Sequence, residues 1–172
     1  MLSGFSNGSY AKIKAPFDPA DKTIEVVVEF ETGATVNGSE GILNSIGKCG
    51  FSPLFIGNNQ LTGFLSSNGV SWDIAGGTPV GLAIKPNSLY RVKAIWDGSA
   101  YSWQLKEKSA WRKLSRISSS TPVWSGANIQ FGTGRGLNFP FGGLVDLNRC
   151  YICIDGKLWW EGVKGAYRNA NR

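Results

Sequence analysis

Near its C-terminus the chain reads FPFGGLVDLNRCYICIDGKLWWEG, with Cys150 and Cys153 three residues apart and Trp159 beside Trp160. Two thiols could hold a metal or cycle through a disulfide, and paired indoles could offer a stacking platform to sugar rings. The thiol chemistry is disfavoured by spacing. Side chains alternate along a strand, so in an extended 150–153 segment the two sulfurs point to opposite sides of the sheet. Zinc calls for four ligands, yet Cys49 is the only other thiol and the chain has no histidine. Three cysteines, an odd number, also argue against a disulfide framework. Small, mostly buried apolar residues are therefore expected at these positions.

Other chemistry is bounded in the same way. Without histidine there is no His-based triad, base or metal site. Gly132-Thr-Gly-Arg-Gly136 has the glycine spacing of a phosphate loop. A Leu-Asn-Phe-Pro-Phe run follows it where a helix N-terminus should be, so it reads as a flexible glycine loop. On the segment TIEVVVEFE, Glu25 and Glu29 would stand about 13 Å apart, beyond the roughly 5–9.5 Å of a glycosidase carboxylate pair. Glu29 and Glu31, about 6.6 Å apart, pass that test, although like charges on a solvated strand face more often only solubilise it.

Binding chemistry has more material. Trp96 and Trp103 fall in a core register, whereas Trp72, Trp111, Trp124 and one of Trp159 and Trp160 are freer; these five are the candidate glycan-stacking residues. Adjacent strand residues face opposite ways, so Trp159 and Trp160 should not both enter one core. The net charge of +6 is uneven, with five Lys/Arg against seven Asp/Glu in residues 1–88 and thirteen against five in 89–172. The basic half includes Lys106, Lys108, Arg112, Lys113 and Arg116, candidates for contact with an anionic partner such as a polysaccharide, a nucleic acid or an acidic protein face. No RNP-like, KH or helix-turn-helix pattern accompanies them, so nucleic acid is the weaker reading.

The elements that must carry these residues are strands. Along TIEVVVEFE, Ile24, Val26, Val28 and Phe30 share one face, expected in the core, and Glu25, Val27, Glu29 and Glu31 share the other, expected in water. In LYRVKAIWDGSAYSWQLKEK the Tyr90, Val92, Ala94, Trp96 set and the Tyr101, Trp103, Leu105 set flank a hairpin turn at Asp97-Gly98-Ser99. Asn68-Gly69 and Asp155-Gly156 mark further turns, the latter placing Tyr151–Ile154 against Leu158–Trp160. In KEKSAWRKLSRI, Ala110, Leu114 and Ile117 match helical spacing, but a strand starting near Trp111 suits a segment that directly follows a hairpin. Phe139, Phe141, Leu144 and Leu147 are expected to lead into the core. Turns every eight to twelve residues without a clear helix indicate an antiparallel sandwich or barrel. No stretch approaches the roughly 18 apolar residues of a membrane helix. The opening MLSGFSNGSY lacks the basic start and apolar run of a secretory leader, so the sequons at Asn7 and Asn37 carry little weight.

Taken together, FSNGSYAKIKAPFDPADKTIEVVVEF, LYRVKAIWDGSAYSWQLKEKSAWRKLSRI and IQFGTGRGLNFPFGGLVDLNRCYICIDGKLWWEG resemble a laminin-G-like, concanavalin A-like lectin/glucanase domain. The FGGLVDL…WWEG wording is similar to versions carried by tailed phages. The resemblance covers roughly residues 1–162 and leaves 163–172 as a basic tail. It implies an all-β, antiparallel two-sheet β-sandwich, a concanavalin A-like jelly roll. Lectin relatives often bind calcium through clustered Asp and Asn, but Asp73, Asp97 and Asn128 are scattered here, so no cofactor is expected. The Glu-x-Asp-x-x-Glu strand of the glucanases is not matched, which implies a non-catalytic module. The expected role is a virion surface component, on a tail fibre, baseplate or capsid, that attaches to bacterial surface polysaccharide. The alternative is an assembly or decoration protein that binds other virion proteins. Either is expected to be a homo-oligomer without membrane insertion.

Overall fold

The computed structural model describes residues 11–14, 22–36, 38–45, 51–118, 128–132 and 139–162. Thirteen strands run through them: β1 (Ala11–Lys14), β2 (Ile24–Glu31), β3 (Ser39–Ser45), β4 (Phe51–Gly57), β5 (Gln60–Leu65), β6 (Ala75–Ala83), β7 (Leu89–Trp96), β8 (Ala100–Glu107), β9 (Ala110–Ser118), β10 (Asn128–Phe131), β11 (Leu144–Val145), β12 (Tyr151–Ile154) and β13 (Lys157–Glu161). One sheet has the order β1-β10-β3-β4-β5-β6, the other β13-β12-β2-β7-β8-β9, with β11 alongside β2. Every pairing is antiparallel. Two stacked antiparallel sheets with neighbours distant in sequence make the expected β-sandwich. No helix among the described residues is long and apolar enough to cross a membrane.

The core lies between the sheets, where alternation puts it. Ile24, Val26, Val28 and Phe30 of β2 meet Val92, Ala94 and Trp96 of β7 and Tyr101, Trp103 and Leu105 of β8, all buried. Trp96, Tyr101 and Trp103 form a run of rings with centroids 4.8 and 6.3 Å apart. The Trp103 indole donates to the Pro53 carbonyl at 2.8 Å, so its one polar atom is satisfied in the apolar interior. Gly63 on β5 lies directly beneath that ring: a Cβ there would stand 2.8 Å from Trp103 Cζ2.

The turns follow their residue types. Asp97 and Gly98 close the β7–β8 hairpin, with Gly98 at φ +92° and the Asp97 carboxylate accepting from the Ser99 and Ala100 amides at 2.8 Å. Asp155 and Gly156 both take positive φ, the twist that suits a two-residue hairpin between β12 and β13. In KEKSAWRKLSRI, Lys106 and Glu107 end β8, Lys108 and Ser109 turn, and from Ala110 the segment is a strand, as its place after a hairpin suggested; β9 forms the edge of its sheet.

Three expectations need correction. The outer face of β2 is not a solvated one: Val27 is fully buried and Glu29 is 8% exposed. Tyr151 and Lys93 flank Val27 in register and cover it with long side chains, while Arg91 and Arg149 close over Glu29. Secondly, Trp159 and Trp160 are both buried in the core, at 4% and 5% exposure. Ile152 pairs with Trp160 but Cys153 pairs with Leu158, leaving Trp159 as the extra residue of a β-bulge. A bulge breaks strict alternation, so consecutive side chains need not oppose one another. Thirdly, Phe139 does not lead into the core, as Phe141 does, but stands 37% exposed. The basic tail at 163–172 lies outside the described residues, as do Asn7, Asn37, Cys49 and most of the GTGRG loop.

Candidate functional site

Four aromatic rings outside the inter-sheet core line a cleft of about 210 Å³ together with Ser39 and Ser52. Phe55 comes from β4, Phe64 from β5, Trp72 from the β5–β6 loop and Phe139 from the segment before β11. Period-two alternation explains the first two. Leu61, Gly63 and Leu65 of β5 face the core, which turns Thr62 and Phe64 outward. The rings meet edge to face: Phe139 to Phe55 at 5.5 Å, Phe55 to Phe64 at 4.9 Å and Phe64 to Trp72 at 5.5 Å between centroids.

Each wall is fixed by hydrogen bonds. The loop bearing Trp72 is built on Asn68, whose side-chain oxygen accepts from the Val70 and Ser71 amides at 2.8 and 2.9 Å. Asp73 accepts from the Ser67 hydroxyl and, at 2.9 Å, from its amide; these bonds hold the carboxyl below its ordinary value. Phe139 is tied by its carbonyl, which accepts from Gly41 at 2.9 Å, and Glu40 accepts from Gly142 at 2.9 Å. Gly76 and Gly77 of β6 leave the space that Phe64 and Trp72 occupy: a Cβ on Gly77 would stand 2.9 Å from Phe64 Cζ, and its φ is +84°. A wall already held in place loses little entropy on binding. Chemically, the cleft offers ring faces and edges to apolar C–H surface, with the exposed Ser39 at its margin, while the buried Ser52 hydroxyl donates to the Leu43 carbonyl at 3.3 Å.

The candidate tryptophans therefore part company. Trp72 is a wall of this cleft, half-buried. Trp111 lies half-buried on β9 at the outer face of the other sheet, with Lys93 Nζ 4.7 Å and Lys106 Nζ 5.3 Å from its ring centroid. Trp159 and Trp160 belong to the core, so neither ring is open to a ligand. Trp124 lies outside the described residues. Sequence reasoning missed Phe55, Phe64 and Phe139; the Gly76-Gly77 pair opposite an aromatic strand was the available signal.

The basic candidates are likewise divided by alternation and pairing. Lys106 and Lys113 share the outer face with Trp111, because Lys106 pairs with Trp111 and Gln104 with Lys113. Arg116, on that face too, is 3.3 Å from Asp97. Arg112 points the other way and is held 2.6 Å from Glu107. Lys108 sits in the β8–β9 turn at φ +50°.

The remaining sequence candidates are accounted for by their neighbours. Glu29 lies 2.9 Å from Arg149 and 3.9 Å from Arg91, a carboxylate enclosed by two guanidinium groups. Cys150 faces the core and Cys153 the outside, as the three-residue spacing required. Burial pushes the Cys150 thiol up to about 12 and raises Cys153 as well, which leaves both poor thiolates at neutral pH. Among the described residues no three His, Cys, Asp or Glu side chains come together as a metal site would need.

No family model matches the chain, and no curated protein sequence does. Solved structures do match in shape. An enzymatically active domain of tailspike protein 2 from bacteriophage CBA120 aligns with 86% of this chain and 24% of its own, with a TM-score of 0.59 and 11% identity. The CBM40 of a Ruminococcus gnavus sialidase, in a structure with alpha2,3 sialyllactose bound, aligns with 87% of this chain and 90% of its own, with a TM-score of 0.57 and 12% identity. A Shewanella oneidensis protein of unknown function aligns with 80% of this chain and 56% of its own, at a TM-score of 0.45 and 19% identity. The chain thus spans only part of the tailspike domain and of the Shewanella protein. At such identities the tailspike domain and the CBM40 share with this chain a fold, the two-sheet β-sandwich.

Proposed function

We propose that this protein is a non-catalytic carbohydrate-binding β-sandwich, of laminin-G-like kind, carried on the surface of a phage or prophage virion. The aromatic cleft supports this reading most directly. Sugar rings present C–H faces that pack on aromatic surface while their hydroxyls seek polar partners, and the exposed Ser39 lines the cleft beside the rings. That a tailspike domain and a carbohydrate-binding module have the same fold agrees with it. The enclosure of Glu29 by two arginines, which ties up one of the two carboxylates at glycosidase spacing, favours a binding over a hydrolytic role. In this reading the partners are bacterial surface polysaccharide and neighbouring virion proteins, and the working unit is a homo-oligomer.

The test is binding of purified protein to a panel of bacterial surface polysaccharides at low and high salt, followed by tryptophan fluorescence. Salt-resistant binding with a fluorescence change is expected, and Trp72→Ala should weaken it about tenfold, the loss of roughly 1.4 kcal/mol of stacking. An unchanged affinity in Trp72→Ala would remove the cleft from the account. The second reading, virion assembly without glycan, is favoured by the cleft being mostly apolar, which suits an inserted side chain of another subunit. No binding to any polysaccharide, with self-association in sedimentation, would put that reading first.

A further inference from the structure

The outer face of the β7–β8–β9 half of the second sheet carries an imbalance of charge around a ring. Register sets Lys93, Gln104 and Lys113 in one row across the three strands and Lys106 beside Trp111 in the next. The carboxylates near this face are engaged: Glu25 lies 2.9 Å from Lys93, Glu29 2.9 Å from Arg149, and Asp97 3.3 Å from Arg116. Tyr151 adds a hydrogen bond to Glu25 at 3.1 Å. Among the described residues Lys106 is held only by the Ser109 carbonyl at 2.7 Å and the Trp111 ring, and Lys113 has no carboxylate partner. Two ammonium groups within about 5 Å of one indole repel each other, and Glu25 neutralises only the Lys93 member.

We propose that this face is a second ligand surface, separate from the aromatic cleft, that takes an acidic polysaccharide: the anionic groups lie between Lys106 and Lys113 and a sugar ring rests on Trp111. Lys113 is diagonal to Lys106 across neighbouring strands, so their Cβ atoms are within about 7–8 Å of each other. Gln104, between Lys93 and Lys113 in their row, supplies an amide donor and acceptor for sugar hydroxyls. A flat ring flanked by two uncompensated cations fits a chain with a charge on each sugar and an apolar face between charges. Nucleic acid is the poorer fit, because its affinity grows with the number of phosphates neutralised and two uncompensated lysines supply a salt slope of only about two. The surface does not depend on the cleft, so each stands or falls by its own variants.

The deciding experiment is affinity electrophoresis and calorimetry with polygalacturonate, alginate and dextran sulfate, against neutral dextran and a single-stranded DNA oligonucleotide, from 50 to about 500 mM salt. At least one acidic polysaccharide should bind, dextran should not bind through this face, and the log-affinity should fall with log salt at a slope near two. The double variant Lys106→Gln/Lys113→Gln should lose tenfold or more and flatten the slope, and Trp111→Ala should lose affinity at every salt. Trp72→Ala should leave this binding unchanged, just as the lysine variants should leave cleft binding unchanged. The proposal is overturned if none of the three acidic polysaccharides binds, if the lysine variant binds as the parent does, or if the oligonucleotide binds more tightly than all three.

Discussion

Two buried aromatic neighbours illustrate how little of a side chain's contribution can be judged from its burial alone. Tyr101 and Trp103 are 1% and 0% exposed on the same strand face. The Trp103 N–H reaches a carbonyl, whereas the Tyr101 hydroxyl has no hydrogen-bond partner among the described residues. Burial alone drives the Tyr101 phenol well above its ordinary value, so it stays protonated at any ordinary pH. Removing a polar atom that bonds nothing is nearly neutral, whereas removing one partner of a buried pair leaves the other unsatisfied. Tyr101→Phe should therefore leave stability within about 1 kcal/mol of the parent, on either side. Trp103→Phe should cost about 2–4 kcal/mol from the void and the stranded Pro53 carbonyl. Urea titration of both variants checks this, and equal losses would refute it.

Turns and loops hold the sheets to their register, and two of them do so through carboxylates. Asp97 is held at about 2, first by the Ser99 hydroxyl and then by the Ser99 and Ala100 amides; Asp73 is lowered chiefly by Ser67. Both folded values lie below the unfolded one, so as pH falls the unfolded chain takes up the proton first. Their contribution is complete above the ordinary carboxylate value of about 4 and disappears as pH falls through the folded value. Amide resonances of Ser99 and Ala100 should keep their hydrogen-bonded shifts at pH 3 and move only near pH 2. Trp72, one residue from Asp73, should change fluorescence in acid only below pH 4. Movement of the Ser99 and Ala100 signals at pH 4 would show that the Asp97 turn is not locked in this way.

The two sheets share one interior. Trp103 from one sheet bonds the carbonyl of Pro53 in the other, and Trp160 stacks near Phe131 across the sandwich at 5.6 Å. With β2 drawn from the start of the described chain, β7 and β8 from its middle and β12 from its end, neither half of the sequence can complete a sheet alone. Unfolding should consequently be a single cooperative transition, with near-ultraviolet circular dichroism and tryptophan fluorescence superimposing in guanidinium. Separated midpoints would mean that the sheets melt independently. The same topology puts the aromatic cleft and the cationic face on different sheets.

The fold was largely present in local pattern. Period-two alternation marked β2, β7 and β8, and Asp97-Gly98 and Asp155-Gly156 marked their hairpins, because those residue types meet a backbone requirement that needs no distant partner. The site was less legible. Trp72 and Trp111 lie outside the core, where the register of the sequence left them freer, but Phe55, Phe64 and Phe139 become neighbours only when β4, β5 and a segment over 70 residues later are laid together. The burial of both Trp159 and Trp160 depends on a bulge that only pairing with β12 creates. Charge followed the same division. The basic surplus could be counted in the chain, yet which lysines remain uncompensated was settled by carboxylates brought from other strands. Alternation and turn chemistry act over a few residues and are written in sequence. Which side chains meet across sheets and which charges find partners depends on strand order and register, and those belong to the tertiary structure.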